Sequence, residues 1–254
     1  MSVMDVDLNR HHGAIEVWTA EERPDLWEAA RSGFQDVWPE YNLHGNHSSA
    51  VFSALVPQHA AFQVLIYDRE INRVVGRGRT VRFHWEGTLD DLPAGFDALV
   101  RRTVEDTRSW NALSALAAEV ATDQQGRGLS QLVLRAMAAC ARQAGLAHLV
   151  APVRPSWKDR YPLIQIDEYM QWTRQDGLPF DPWIRVHARL GAVTLRPEAK
   201  SLLIEAPKAD WEEWTAMTFP ADGEYIFPAG LAPLRVREGV GTYWEPNVWM
   251  RHTL

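Results

Sequence analysis

The turn Gln125-Gly126-Arg127-Gly128-Leu129-Ser130 contains the residue types from which an anion seat is built. Glycines at 126 and 128 let the backbone curl and approach a ligand without side chains in the way. From Leu129 to Ala144 apolar residues recur at helical spacing (Leu129, Leu132, Val133, Ala136, Met137, Cys140), so a helix opens at the turn. The first N–H groups of a helix have no intrahelical acceptor, and its aligned peptide dipoles place about half a positive charge there. The combination suits a phosphate-sized anion. It is not a Walker loop, which needs a lysine followed by Ser or Thr after the last glycine. A Rossmann loop needs a third glycine, where this chain has Gln131, and an acidic residue after the next strand, which is missing.

Other candidate groups are weaker. Cys140 is the sole cysteine, which excludes an internal disulfide and a multi-cysteine metal site, and its place on the apolar side of the helix reads as core. His44 and His47 stand three apart in a polar segment, a spacing a metal can use, but no third ligand is near and loop histidines are the simpler reading. Gly76-Arg77-Gly78 resembles half a dinucleotide loop, yet Thr80-Val81-Arg82-Phe83 continues as strand instead of opening a helix.

The elements that must position the turn follow from periodicity. Ala14–Thr19 reads as a strand, Pro24–Phe34 as a helix, Ala50–Val56 as a second short helix, and Ala61–Tyr67 with Arg73–Trp85 as an antiparallel hairpin. An amphipathic helix covers Leu92–Trp110. Leu113–Thr122, the helix and Ala147–Val153 then make a strand–helix–strand crossover, which requires parallel strands. Pro152 and Pro155 flank Arg154 where the second of these strands should leave the sheet. Further on, helices are expected around Ile166–Gln175, Pro182–Leu190 and Trp211–Met217, and closing strands at Ser201–Glu205 and Gly241–Trp249.

The Gln125–Ser130 turn resembles the pyrophosphate loop of the GNAT superfamily of acyl-CoA N-acyltransferases, whose pattern is Gln or Arg, two residues, Gly, one residue, then Gly or Ala. Ser130 stands for the final small residue. The order of elements from about residue 14 to 206 also follows that family, and Val186-His187-Ala188-Arg189-Leu190-Gly191 resembles its Tyr-x-x-x-Gly helix end with His187 in place of tyrosine. The resemblance implies an α/β (α+β) fold with a mixed, centrally splayed sheet flanked by helices. It implies one domain over 1–254, with an insertion at about 154–181 and an elaborated C-terminal part at 207–254.

By the same resemblance the donor is acetyl-CoA or another acyl-CoA, with no metal, and its pantetheine arm lies between the splayed strands. Backbone at Val120 and Thr122 would bind pantetheine, and the amides of Gly126, Gly128, Leu129 and Ser130 would take the pyrophosphate, with Gln125 opening the loop and Arg127 adding charge. Ser156 stands where relatives carry a cofactor contact. Transfer would be direct, with His187 as acid, in its imidazolium form, and Glu119 as base. A packing role for His187 and a salt-bridge role for Glu119 stay open beside these. His84-Trp85-Glu86 and Trp157-Lys158-Asp159-Arg160-Tyr161 are candidate borders of an acceptor pocket. The acceptor would be a small-molecule amine, and a carrier protein's phosphopantetheine or a non-catalytic acyl-CoA-binding role are the alternatives. A homodimer is left open.

Composition sets the outer bounds. The 254 residues suffice for a substantial core, and a formal charge of -7 argues against a chain built for nucleic acid or anionic membrane. No run approaches the ~20 apolar residues that span a bilayer, and the N-terminus lacks the apolar segment of a signal peptide, so a cytoplasmic location is expected. Twelve tryptophans are many for this length; burial is their default use.

Overall fold

The computed structural model describes residues 13–46, 54 and 57–254; His47 and nearly all of the helix expected at 50–56 lie outside them. Among the described residues, β1 (Ile15–Thr19), β2 (Val64–Asp68), β3 (Arg73–Phe83) and β4 (Ala112–Val120) pair antiparallel in sequence order. β5 (His148–Val153) joins β4 in parallel, as the crossover requires. On the other side of β5 comes β9 (Val240–His252), which also pairs along most of its length with β6 (Val193–Pro207). β8 (Leu234–Arg237) and β7 (Gly223–Tyr225) extend the sheet from β9, giving nine strands.

Among the described residues, the helices with complete bounds are α1 (Pro24–Ala29), α2 (Gly95–Glu105), α3 (Leu129–Gln143), α4 (Ile166–Tyr169), α5 (Pro182–Arg189) and α6 (Lys208–Thr215). α3 packs against β2, β3, β4 and β5 through Val133, Met137, Cys140 and alanines at 136, 138, 139 and 141, all buried. Glycines on β3 allow the close approach. A Cβ on Gly78 would stand 2.6 Å from Met137 Cε and 3.0 Å from Val133 Cγ1, so a larger residue would require these side chains to shift. Strand alternation then sends Arg77 and Arg79 to the opposite face. The Gly-Arg-Gly run is therefore a packing pattern.

Three expectations need correction. The helix of Leu92–Trp110 is confined to Gly95–Glu105, because Asp106 turns extended. That of Ile166–Gln175 shrinks to one turn: Thr173 bridges back to Pro179 around Gly177, which takes a left-handed φ of 76°, and the return packs Trp172 and Phe180 edge-on against Tyr161. The closing strands are the centres of much longer ones, and the β7–β8 hairpin has too few alternating residues to be legible.

The feature that makes the site is local. β4 and β5 pair only from Ala112–Ser114 to His148–Val150. Beyond Ser114, β4 stays with β3, while β5 follows β9 up to Val153 and the chain leaves the sheet at Arg154. The two strands diverge and a cleft opens in the middle of the sheet. No helix among the described residues is long and apolar enough to cross a membrane.

Candidate active site

Three contiguous hollows run along this cleft. The outermost lies at the start of α3, walled by Gln125, Gly126, Gly128, Leu129 and Ser130 together with Val120. It shares Val37, Ala118, Ser156 and Trp183 with a middle hollow between the diverging strands. The middle one shares Trp38, Leu116, Ala117, Pro152 and Arg154 with an innermost hollow closed by Arg79, Glu245 and Asn247. Each stretch between the strands exposes backbone edges that neither neighbour uses.

At the outer end, Gly126 and Gly128 both adopt left-handed φ, 79° and 76°, and the space where their Cβ atoms would stand is open. Gly128 is the residue that caps α3, and no side chain caps its N–H groups. Ser156 is exposed and borders both outer hollows. One residue of the expected set points elsewhere: Arg127 reaches Asp68 at 3.4 Å and Gln124, so its charge is directed toward β2 and away from the seat. The Thr122 hydroxyl donates to Asp36 Oδ2 at 2.8 Å, which leaves its expected backbone role untouched.

Glu119 is 1% exposed and lines none of the three hollows. Its Oε1 accepts from Arg79 Nη2 at 2.7 Å and from Trp38 Nε1 at 2.8 Å, and its Oε2 from Arg77 Nε at 2.7 Å. Arg77 is its direct cross-strand neighbour. Burial alone would raise its pKa; the Arg79 and Arg77 guanidiniums outweigh that and hold it below the ordinary carboxylate value. A carboxylate so held is a poor proton acceptor. It stands behind the wall of the inner hollow and braces Arg79 and Trp38, which face it.

His187, on α5, does border the middle hollow. The helix is set by Asp181, whose carboxylate accepts from the amides of Trp183 and Ile184 at its start. His187 is 1% exposed, its ring meets Trp183 edge-on at 4.6 Å, and its Nδ1 lies 2.9 Å from Nε2 of His252 at the end of β9. Burial, with His252 beside it, holds its pKa well below the ordinary 6.5. The ring is therefore neutral at neutral pH. Desolvation disfavours the expected imidazolium, while the residue borders the cleft.

The inner hollow contains groups the sequence did not single out for chemistry. Arg154 donates to Glu245, to the Tyr41 hydroxyl at 3.0 Å and to the Ala229 carbonyl at 2.8 Å. Glu245 also accepts from Asn42 at 3.1 Å and from the Tyr243 hydroxyl. Burial disfavours the Arg154 charge, but Glu245 beside it more than restores it. The flanking prolines drew notice to Arg154 only as a strand end. Its partner lies 91 residues away, which no local pattern discloses.

None of the residues His84–Glu86 and Trp157–Tyr161 lines the three hollows. Trp85 is fully buried with its Nε1 on the Thr88 carbonyl, and His84 bonds to the Ser109 carbonyl. Lys158 is buried and bonds to the carbonyls of Tyr161 and Leu231, tying two loops together. Among the described residues no group of three or more His, Cys, Asp or Glu is placed to hold a metal.

No family model matches the chain. Over 271 residues, covering 93% of this chain and 93% of the relative, it is 29% identical to the arginine N-acetyltransferase avaD of Aspergillus versicolor. Its fold is shared with the loading GNATL domain of CurA from Lyngbya majuscula, at a TM-score of 0.58, 17% identity, and coverage of 95% of this chain and 98% of that one. The GphF GNAT-like decarboxylase, solved with isobutyryl-CoA, superposes at 0.56 and 16% identity over 95% and 99% of the two chains. With the splayed parallel pair and the glycine turn at its mouth, the chain has the GNAT fold, and its similarity to an N-acetyltransferase over nearly its whole length supports an acyltransferase.

Proposed function

We propose that this protein moves an acyl group, acetyl in the first instance, from acyl-CoA to the amine of a small molecule. The observation that carries the reading is the continuous cleft from the uncapped start of α3, between β4 and β5, to the inner hollow at Arg154. The pyrophosphate belongs at the amides of Gly126, Gly128, Leu129 and Ser130, where free N–H groups and the helix dipole meet. Pantetheine lies against the unpaired backbone edge of β4 near Ala118 and Val120, as an added strand would. The thioester then stands in the middle hollow near His187, and the acceptor enters from the inner one.

The chemistry is direct. The amine nitrogen attacks the thioester carbonyl carbon, the C–S bond breaks, and the proton lost by nitrogen balances the one gained by the thiolate, leaving amide and CoA thiol. His187 acts as a neutral hydrogen-bond donor toward the reacting thioester. Glu119 holds Arg79 and Trp38 in place and moves no proton.

Arginine is the first acceptor to test, since the relative from Aspergillus versicolor is named for it. Its carboxylate would find the Arg154 and Arg79 guanidiniums in the inner hollow. Calorimetry with acetyl-CoA, set against an acetylated carrier protein, tests the donor. Micromolar binding of acetyl-CoA supports the reading; binding of the carrier alone would move the donor assignment to a tethered phosphopantetheine.

A further inference from the structure

Two buried histidines share one proton at the wall of the cleft. His187 Nδ1 and His252 Nε2 are 2.9 Å apart, and the residues are 1% and 2% exposed. Their outer nitrogens, His187 Nε2 and His252 Nδ1, are both buried and have no hydrogen-bond partner. An orphaned polar atom in a dry site is costly, so each asks for an explanation. His187 supplies one, because it borders the middle hollow, where a ligand would lie.

With both rings neutral, two arrangements close the inner bond. In one, His187 Nδ1–H donates and the orphaned His187 Nε2 carries a bare lone pair. In the other, His252 Nε2–H donates and the orphaned His187 Nε2 carries the proton. An acyl thioester offers only acceptors there, its carbonyl oxygen and its sulfur, and both gain negative charge as the amine attacks. The first arrangement sets lone pair against lone pair. The second satisfies the orphan and strengthens as charge develops.

We infer that His252 is a positioning residue for acyl transfer: by donating Nε2–H to His187 Nδ1, it fixes the tautomer that turns His187 Nε2–H toward the thioester. This rests on the acyl-transfer reading above. The role resembles that of an outer-shell partner that sets which ring nitrogen of a ligating histidine carries the proton. Position 252 lies 65 residues from His187 and is brought to it because β9 pairs with β5 and β6 at the same level.

The test has two arms. In the first, ¹⁵N-resolved NMR of the full-length protein, with acetyl-CoA and no acceptor, reads the His187 tautomer. The expected result is a proton on Nε2, and a His187 protonated only on Nδ1 overturns the inference. This arm needs no turnover, so it decides the dyad even if no acceptor is found, whereas failure to bind acetyl-CoA at all counts against the acyl-transfer reading. In the second, His252→Leu is expected to lower kcat on the order of 10- to 100-fold with KM for acetyl-CoA unchanged. His252→Gln, whose amide still donates an N–H, is expected to recover most of that loss. Wild-type kcat in a folded His252→Leu protein, or equal losses in both variants, contradicts the assignment.

Discussion

Glu119 Oε1 and Arg79 Nη2 are 2.7 Å apart at the back of the inner hollow, and Arg77 binds the other carboxylate oxygen at the same distance. Two guanidiniums thus share one buried anion. Removing it leaves both charges under-compensated in a dry place, which costs about 3–5 kcal/mol for a broken buried pair. Glu119→Gln should therefore lower unfolding free energy by that order in urea titration. At temperatures where the variant is folded, its pH–rate profile should keep the wild-type shape. A general base would give the opposite result, with wild-type stability and a lost acidic limb.

The mouth of the cleft separates strain from charge. Gly128 sits at φ 76° with open space at its Cβ position. Gly128→Ala should lose about 1 kcal/mol of stability from the left-handed backbone and weaken acetyl-CoA only slightly. Gly128→Glu adds a carboxylate where the pyrophosphate is proposed to lie. Calorimetry should show acetyl-CoA binding weakened at least ~10-fold relative to Gly128→Ala, since 1.4 kcal/mol of repulsion suffices for that.

Buried neutral histidines set an acid limit. Burial lowers His252 to about 4, burial and then Arg82 lower His59 to about 4, and His187 lies well below 6.5. Between an unfolded pKa near 6.5 and these folded values the unfolded chain binds more protons, so stability is full above 6.5 and is lost as pH falls toward 4. His252 alone contributes on the order of 3 kcal/mol. Thermal unfolding from pH 7.5 to 4 should show Tm falling through this window, with a shallower fall in His252→Gln.

Cys140 lies on the buried face of α3 with its thiol pushed up to about 12, chiefly by burial. It should resist iodoacetamide in the native protein at pH 8 and react fully in denaturant, as mass spectrometry of the alkylated chain will show. Activity should survive the native treatment, since direct transfer needs no thiol.

What was legible in the sequence is what local pattern encodes. The glycine turn, the strand–helix–strand crossover and the hairpin each rest on contiguous residues, and the structure has each. The partners of Glu119, Arg154 and His187 do not. A carboxylate in an apolar strand looks the same whether it faces a cleft or two arginines, and only the β3–β4 register decides that it meets Arg77. Likewise His187 was found from its place in a motif, but its neutrality comes from burial beside His252, which the topology of β9 supplies. The one-turn α4 failed for a different reason: aromatic packing around Gly177 overrode a helical spacing.

The most direct test of the account is thiol release from acetyl-CoA by the purified protein across a panel of small amines led by arginine, with products identified by mass spectrometry. The account predicts saturable, amine-dependent thiol release with an N-acetyl product, abolished or much reduced in His187→Phe. Acetyl-CoA that binds yet yields no acetylated amine with any member of the panel would contradict it.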